Sequence, residues 1–291
     1  MTVTRWTFGD VVVHRIEEFS AGFMPVLEML PQATPELLDR NRDVFGDEVD
    51  REDDVAVLLY QMYLVQTPEH VVIVDTGVGN DKDRGRPEWH RRRDPAFLDG
   101  LARAGFAVED VDLVVCTHIH PDHVGWNTVL RDGAWVPTFP GARYVFVEEE
   151  VDFARRRHET EGFAPYADSV LPIIEAGLAD LVSGPHALSR HLRLRPATGH
   201  TVGHTTVVVG ADRDDVVFAG DLLHLALQVR FPELSFVRDA DLDRSAASRR
   251  ELLEAYCDTE TVLFTAHLPA PSAGRIRRSD SGYRLVALPD R

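Results

Sequence analysis

The sequence predicts an α/β protein folded as one domain spanning residues 1–291, and three observations carry that reading. Apolar runs rich in Val, Leu, Ile and Tyr, clearest at 55–66 and 71–74, have strand character. Helix signals are interspersed with them, as where Pro95 and Gly105 bracket a helix at its first turn and its end. No short-period repeat, low-complexity tract or Gly/Ser-rich linker divides the chain, so a single compact domain is the simpler solution.

Taken in order, residues 4–8 and 11–17 flank Gly9-Asp10 as two strands of a tight hairpin. Residues 19–54 then break into Pro25, Pro31, Pro35, Gly46 and many acids. This predicts a long loop with one short helix after Pro35, and loops of that length often shape substrate sites. A second hairpin joins 55–66 to 71–74 through Thr67-Pro68-Glu69-His70 and stops at Asp75-Thr76-Gly77. A helix over 95–105 leads to a strand at 113–116, and 143–147 is a further strand. Residues 148–158 and 168–182 have helical character, which makes 148–190 a helical insertion. Strands resume at 192–194, 205–209, 216–219, 262–265 and 283–287, with a helix over 244–256.

Composition narrows the partners. With 31 basic and 48 acidic residues the net charge is −17, which repels nucleic-acid phosphates and anionic membranes. Two cysteines, Cys116 and Cys257, exclude a disulfide framework and a thiolate metal cluster. Residues 1–8 lack a secretory pattern and no apolar run reaches membrane-spanning length, so the expectation is a cytoplasmic protein acting on a small molecule.

The chemistry concentrates where the strand at 113–116 ends, in Thr117-His118-Ile119-His120-Pro121-Asp122-His123. Two imidazoles two positions apart point the same way from an extended segment while the adjacent Asp and His point elsewhere, an arrangement that serves two neighbouring metals. A solvated histidine-rich turn is the competing reading. Further donors follow strands downstream: His200 in Thr198-Gly199-His200-Thr201-Val202-Gly203-His204, Asp221 in Phe218-Ala219-Gly220-Asp221, and His267 in Phe264-Thr265-Ala266-His267.

This order of motifs, HxHxDH, then TGHTxGH, then AGD, then a late His, resembles the metallo-β-lactamase superfamily over most of the chain. The resemblance implies a four-layer αββα sandwich with metals at one edge. It further implies that His118, His120 and His200 bind one divalent ion, that Asp122, His123 and His267 bind a second, and that Asp221 bridges them. Imidazole and carboxylate donors suit zinc, with manganese, iron or cobalt left open because no thiolate narrows the choice. The implied activity is metal-dependent hydrolysis by a bridging hydroxide, with Asp122 also handling a proton, on an ester or lactone bond as in lactonase-like branches. The alternatives are organophosphate, β-lactam or thioester hydrolysis, and more remotely a mononuclear iron thiol dioxygenase.

Weaker claims surround this set. Asp75 either orients a ligand histidine or caps its turn. Thr201 and His204 support His200 or pack in the core, Gly125-Trp126-Asn127 lines the pocket or packs, and His224, three residues beyond Asp221, faces substrate or packs. The runs Arg91-Arg92-Arg93 and Arg155-Arg156-Arg157 are expected to pair with nearby carboxylates.

Overall fold

The computed structural model describes residues 3–50 and 52–289. The chain divides into two compact units, one formed by the chain up to Phe19 with Tyr60–Leu194, the other by Ser20–Leu59 with the chain from Arg195 onward.

One sheet runs in the order Val3–Phe8, Val11–Pro25, Val55–Gln66, Val71–Val74, Leu113–Val115, Arg143–Val147, Ala179–Val182. The opening hairpin sets Phe8 opposite Val11, with Gly9 at φ 62° supplying the turn conformation that a side chain disfavours. From Val71–Val74 onward the strands are parallel, with Val72 beside Leu113 and Leu113 beside Arg143. Parallel strands in the middle of a sheet are covered on both faces, which is why Val71–Val74 and Leu113–Val115 read as unbroken apolar runs. Val74 and Val115 are register partners, so Asp75, next after Val74, and Thr117, two residues after Val115, emerge side by side.

Ala96–Arg103 forms the predicted helix after Pro95, and Gly105 ends its exit turn at φ 93°. It buries Ala96, Phe97, Gly100 and Leu101 on one face, against a core that includes Val114, Trp126, Phe139, Tyr144 and Phe146.

Two expectations change. The strand Val11–Pro25 runs well past residue 17, so the segment expected as loop from residue 19 begins as sheet. Its outer half is only partly buried and contains Gly22, which blurs the alternation that identifies a strand. The helix Val26–Met29 follows, and the helix expected after Pro35 is Pro35–Arg40, capped by the Thr34 hydroxyl accepting from Leu37 N at 3.1 Å. Residues 179–182 were expected to be helical and are instead the strand Ala179–Val182, parallel to Arg143–Val147. The helix Leu171–Glu175 ends two residues before Gly177, whose φ of 71° turns the chain out of helical geometry.

In the second unit the neighbouring strands are Thr205–Val209, Val216–Phe218, Val262–Phe264, Ala273–Ser279 and Gly282–Ala287. Val216–Phe218 pairs in parallel with Val262–Phe264 and the remaining neighbours are antiparallel. Helix Leu242–Tyr256 starts at Asp241, whose carboxylate accepts from Arg244 N at 2.9 Å, and packs Leu252, Leu253 and Tyr256 against Val208, Val217, Leu263 and Ile276. Among the described residues no helix is long and apolar enough to cross a membrane.

Candidate metal centre

In the first unit Asp75 organises the histidine segment. Its backbone sits at φ 55°, a conformation Asp tolerates better than most residues. Asp75 Oδ1 accepts from Thr117 N at 2.7 Å, and Oδ2 accepts from the Thr117 hydroxyl at 2.9 Å. Oδ2 also lies 2.9 Å from His123 Nδ1. A carboxylate only accepts, so His123 carries its proton on Nδ1 and presents Nε2 as a lone pair. The Thr117 proton is committed to Asp75, so its oxygen accepts from His118 Nδ1 at 3.0 Å and His118 likewise presents Nε2. His118 Nε2 and His120 Nδ1 stand 3.0 Å apart, a separation suited to two nitrogens each about 2.0–2.1 Å from one ion. Asp122 Oδ2 is 3.9 Å from His123 Nε2, and Glu150 accepts from Ile119 N at 3.1 Å, tying the segment to helix Glu148–Glu161.

Asp221 is the centre of the second unit's donors. His267 Nε2 lies 3.0 Å from Asp221 Oδ1, while His200 Nε2 and His224 Nε2 lie 3.3 and 3.2 Å from Oδ2. Asp221, His224 and His267 each bring a potential ligand atom within 4.8 Å of the others. His200 Nδ1 donates to Asp239 Oδ1 at 2.7 Å and His267 Nδ1 to the Leu59 carbonyl at 3.1 Å, so both turn Nε2 toward the carboxylate. Burial alone would lower the His200 pKa, but the carboxylates of Asp221 and Asp239 override it and push it up to about 9. His204 is a support rather than a further donor: Nδ1 donates to the Ala197 carbonyl at 3.0 Å and Nε2 accepts from Asp221 N at 3.0 Å.

All seven residues expected to bind metal thus fall into two donor sets, His118, His120, Asp122 and His123 in one unit and His200, Asp221 and His267 in the other. Each set consists of imidazole and carboxylate donors, which fits divalent ions of the zinc, manganese, iron or cobalt type. Asp75 takes the orienting role, and its left-handed turn is part of how it does so.

Several site residues escaped the sequence. Asp239 lies in the acidic stretch Asp239-Ala240-Asp241 with no motif around it, and it reads as surface charge until His200 is seen beside it. Phe236 stacks on the His200 ring with centroids 6.1 Å apart, tilts over His224 at 4.6 Å and meets Phe23 at 6.0 Å, building an apolar wall beside these donors. In the first unit Tyr60 stacks on Phe19 at 4.6 Å, and burial followed by the charge of Asp122 raises its phenol pKa. Buried tyrosines on a strand carry no periodic signal that separates these roles from packing.

The residues expected to be bland are so. Arg91, Arg92 and Arg93 pair with Asp83, Asp94 and Asp81, and Arg155 and Arg157 with Asp152 and Glu161. Burial raises the Cys116 thiol pKa, and its sulfur packs against the Asn127 amide, so it is no nucleophile.

A fold of this topology ending its strands in histidine and aspartate donors belongs to the metallo-hydrolase class. The family model for the metallo-beta-lactamase superfamily matches residues 56–267, and the chain belongs to that superfamily. It is 20% identical to an N-acyl homoserine lactonase of a Bacillus species, over 70% of this chain and 79% of that one. It is 27% identical to a probable metallo-hydrolase of Mycobacterium tuberculosis, over 73% and 75%. Among solved structures it resembles AidC, a dizinc quorum-quenching lactonase, with TM-score 0.80 and 23% identity over 99% of this chain and 98% of that one. It also resembles an N-acyl homoserine lactone hydrolase with N-hexanoyl-L-homoserine bound at its catalytic metal center, with TM-score 0.63 and 18% identity over 92% and 94%. The expected metallo-β-lactamase fold is the fold of this chain, and its family and relatives make it a metal-dependent hydrolase.

Proposed function

We propose that the two units work as one hydrolase domain and that their two donor sets form a single dinuclear zinc site. Its substrate is a lactone carrying an apolar acyl chain, with N-acyl homoserine lactones the leading class. The observation that carries this reading is the locking of the outer ring nitrogens. Asp75, Thr117, Asp239 and the Leu59 carbonyl hold His123, His118, His200 and His267, so every inner nitrogen is preset as a donor. The lactone class is supported by the relatives' activities and by the apolar wall of Phe236 and Phe23.

His118, His120 and His200 would hold one ion, Asp122, His123 and His267 the other, with Asp221 shared between them. When bound, such ions lower the pKa of a shared water and polarise the substrate carbonyl. Asp122 accepts a proton from the attacking water and returns it to the ring oxygen as the ester bond breaks, which leaves an open-chain hydroxy acid. Asp75 and Asp239 keep the imidazoles aimed throughout, and the Phe236 wall holds the acyl chain and excludes solvent.

Turnover of acyl homoserine lactones, an aryl ester, a phosphotriester, a β-lactam and a glutathione thioester, with metal quantified in the same preparation, tests the reading. Zinc-loaded protein with its highest kcat/KM on acyl lactones, and a chain-length preference lost in Phe236→Ser, is expected. Strong activity on another class with no lactone turnover overturns the substrate. Oxygen-dependent consumption of a thiol by protein holding a single iron overturns the hydrolytic reading. An Asp221→Ala variant that keeps both ions and full turnover overturns the shared carboxylate.

A further inference from the structure

The segment joining Asp221 to Asp239 has little regular structure beyond the single turn Leu227–Arg230. Yet its two ends carry the shared carboxylate and the partner that aims His200, so their spacing sets the geometry of this half of the site. Within it, Gln228 Oε1 accepts from His224 N at 2.8 Å and Leu225 N at 3.2 Å, and its Nε2 donates to the Leu234 carbonyl at 2.9 Å.

Arg249, on helix Leu242–Tyr256, spans the segment from outside, and its side chain is wholly buried. Nε donates to the carbonyl of Leu222, the residue after Asp221, at 2.5 Å. Nη1 donates to the carbonyls of Pro232 and Leu234 at 2.7 and 2.8 Å, and Nη2 to the Ser245 hydroxyl at 3.2 Å. Nη2 also lies 3.8 Å from Asp239 Oδ2, whose carboxylate in turn accepts from Phe236 N at 3.0 Å. One planar fork therefore grips both ends of the segment, a geometry that a lysine ammonium on its flexible stem does not reproduce. Burying a guanidinium costs several kcal/mol before its partners repay it, and an apolar side chain of similar volume would fill the core more cheaply. Stability alone does not account for an arginine here.

We infer that Arg249 is a positioning residue for the metal centre, fixing Asp221 relative to the Asp239–His200 pair. This rests on the reading of Asp221 and His200 as metal ligands.

Three variants separate positioning from simple support. Arg249→Met removes the fork, Arg249→Lys keeps the charge without it, and Leu253→Ala cuts a cavity in the same core while leaving the fork in place. Each is compared with wild type for thermal midpoint without metal, zinc retention against a chelator, and the visible absorption of the cobalt-substituted protein. Both Arg249 variants are expected to hold zinc about 10–100-fold more weakly, the loss typical when a ligand's support is removed. Their cobalt bands should shift, whereas Leu253→Ala lowers the midpoint with wild-type retention and spectrum. If Arg249→Lys and Arg249→Met retain metal as wild type does, or if Leu253→Ala loses metal for a given drop in midpoint as much as they do, the inference is overturned. Wild type that binds no metal would instead overturn the functional reading beneath it.

Discussion

His224 Nε2 lies 3.2 Å from Asp221 Oδ2, yet its buried Nδ1 has no hydrogen-bond partner among the described residues. The Nδ1 atoms of His200, His204 and His267 are each held by an oxygen. Ligating histidines almost always have the outer nitrogen held, which sets His224 apart from these three. Burial lowers its pKa and favours the neutral ring. Replacing His224 with Gln should leave both metals bound and lower kcat/KM by about 10²-fold, the scale for losing one polar contact to a reacting carbonyl. Metal analysis beside steady-state kinetics checks this, and loss of an ion would move His224 into the ligand set.

Asp239→Ala frees the His200 ring to rotate and takes away the charge that favours its Nδ1–H tautomer. Metal affinity should fall about 10–100-fold, with Asp239→Asn nearer to wild type because its amide oxygen still accepts. Chelator competition reads both, and equal retention in all three proteins would show that Asp239 does not orient a ligand.

The legibility of this protein follows the type of physical signal. His118, His120, Asp122 and His123 stood out because a metal site packs uncommon donors into a short segment directly after a strand. Asp239, Gln228 and Arg249 did not, because their roles depend on contacts between distant turns and buried backbone carbonyls, which leave no local pattern. The hairpins at 3–25 and 55–74 were visible through apolar runs and turn residues. The strand Ala273–Ser279 was masked by Arg275, Arg277 and Arg278, whose charges outweigh the buried Ile276 in any hydrophobic count.

Glu18 plays for the first unit a part comparable to that of Arg249. Its buried carboxylate accepts from Val78 N at 2.8 Å, Gly79 N at 3.2 Å and Trp126 Nε1 at 2.9 Å, joining the loop after Asp75 to the loop after His123. The loops are so close that a Cβ on Gly125 would stand 1.9 Å from the Val78 carbonyl oxygen. Gly125→Ala should therefore destabilise more than Glu18→Gln, which keeps one acceptor oxygen. Both should weaken metal retention through Asp75 and His123. Thermal melts with and without zinc give the order, and a Gly125→Ala melt matching wild type would mean the loops part without cost.

Glu48 gives the clearest pH signature. Burial pushes its carboxyl pKa up to about 8, only partly opposed by the hydrogen bond from Ala226 N at 2.9 Å. The unfolded chain releases this proton near the ordinary glutamate value of 4.5, so between roughly pH 4.5 and 8 the folded state binds more protons than the unfolded state. Stability must then fall as pH rises through that window, with this group's slope approaching ~1.4 kcal/mol per pH unit and flattening above 8. Glu48→Gln keeps an acceptor for Ala226 N and removes the titration. Denaturant unfolding of both proteins in metal-free buffer should therefore show the variant gaining on wild type from pH 5 to 8, then holding a constant lead. Parallel profiles would mean that Glu48 is already ionised in the folded protein and that the start of the turn Leu227–Arg230 offsets the cost of its burial.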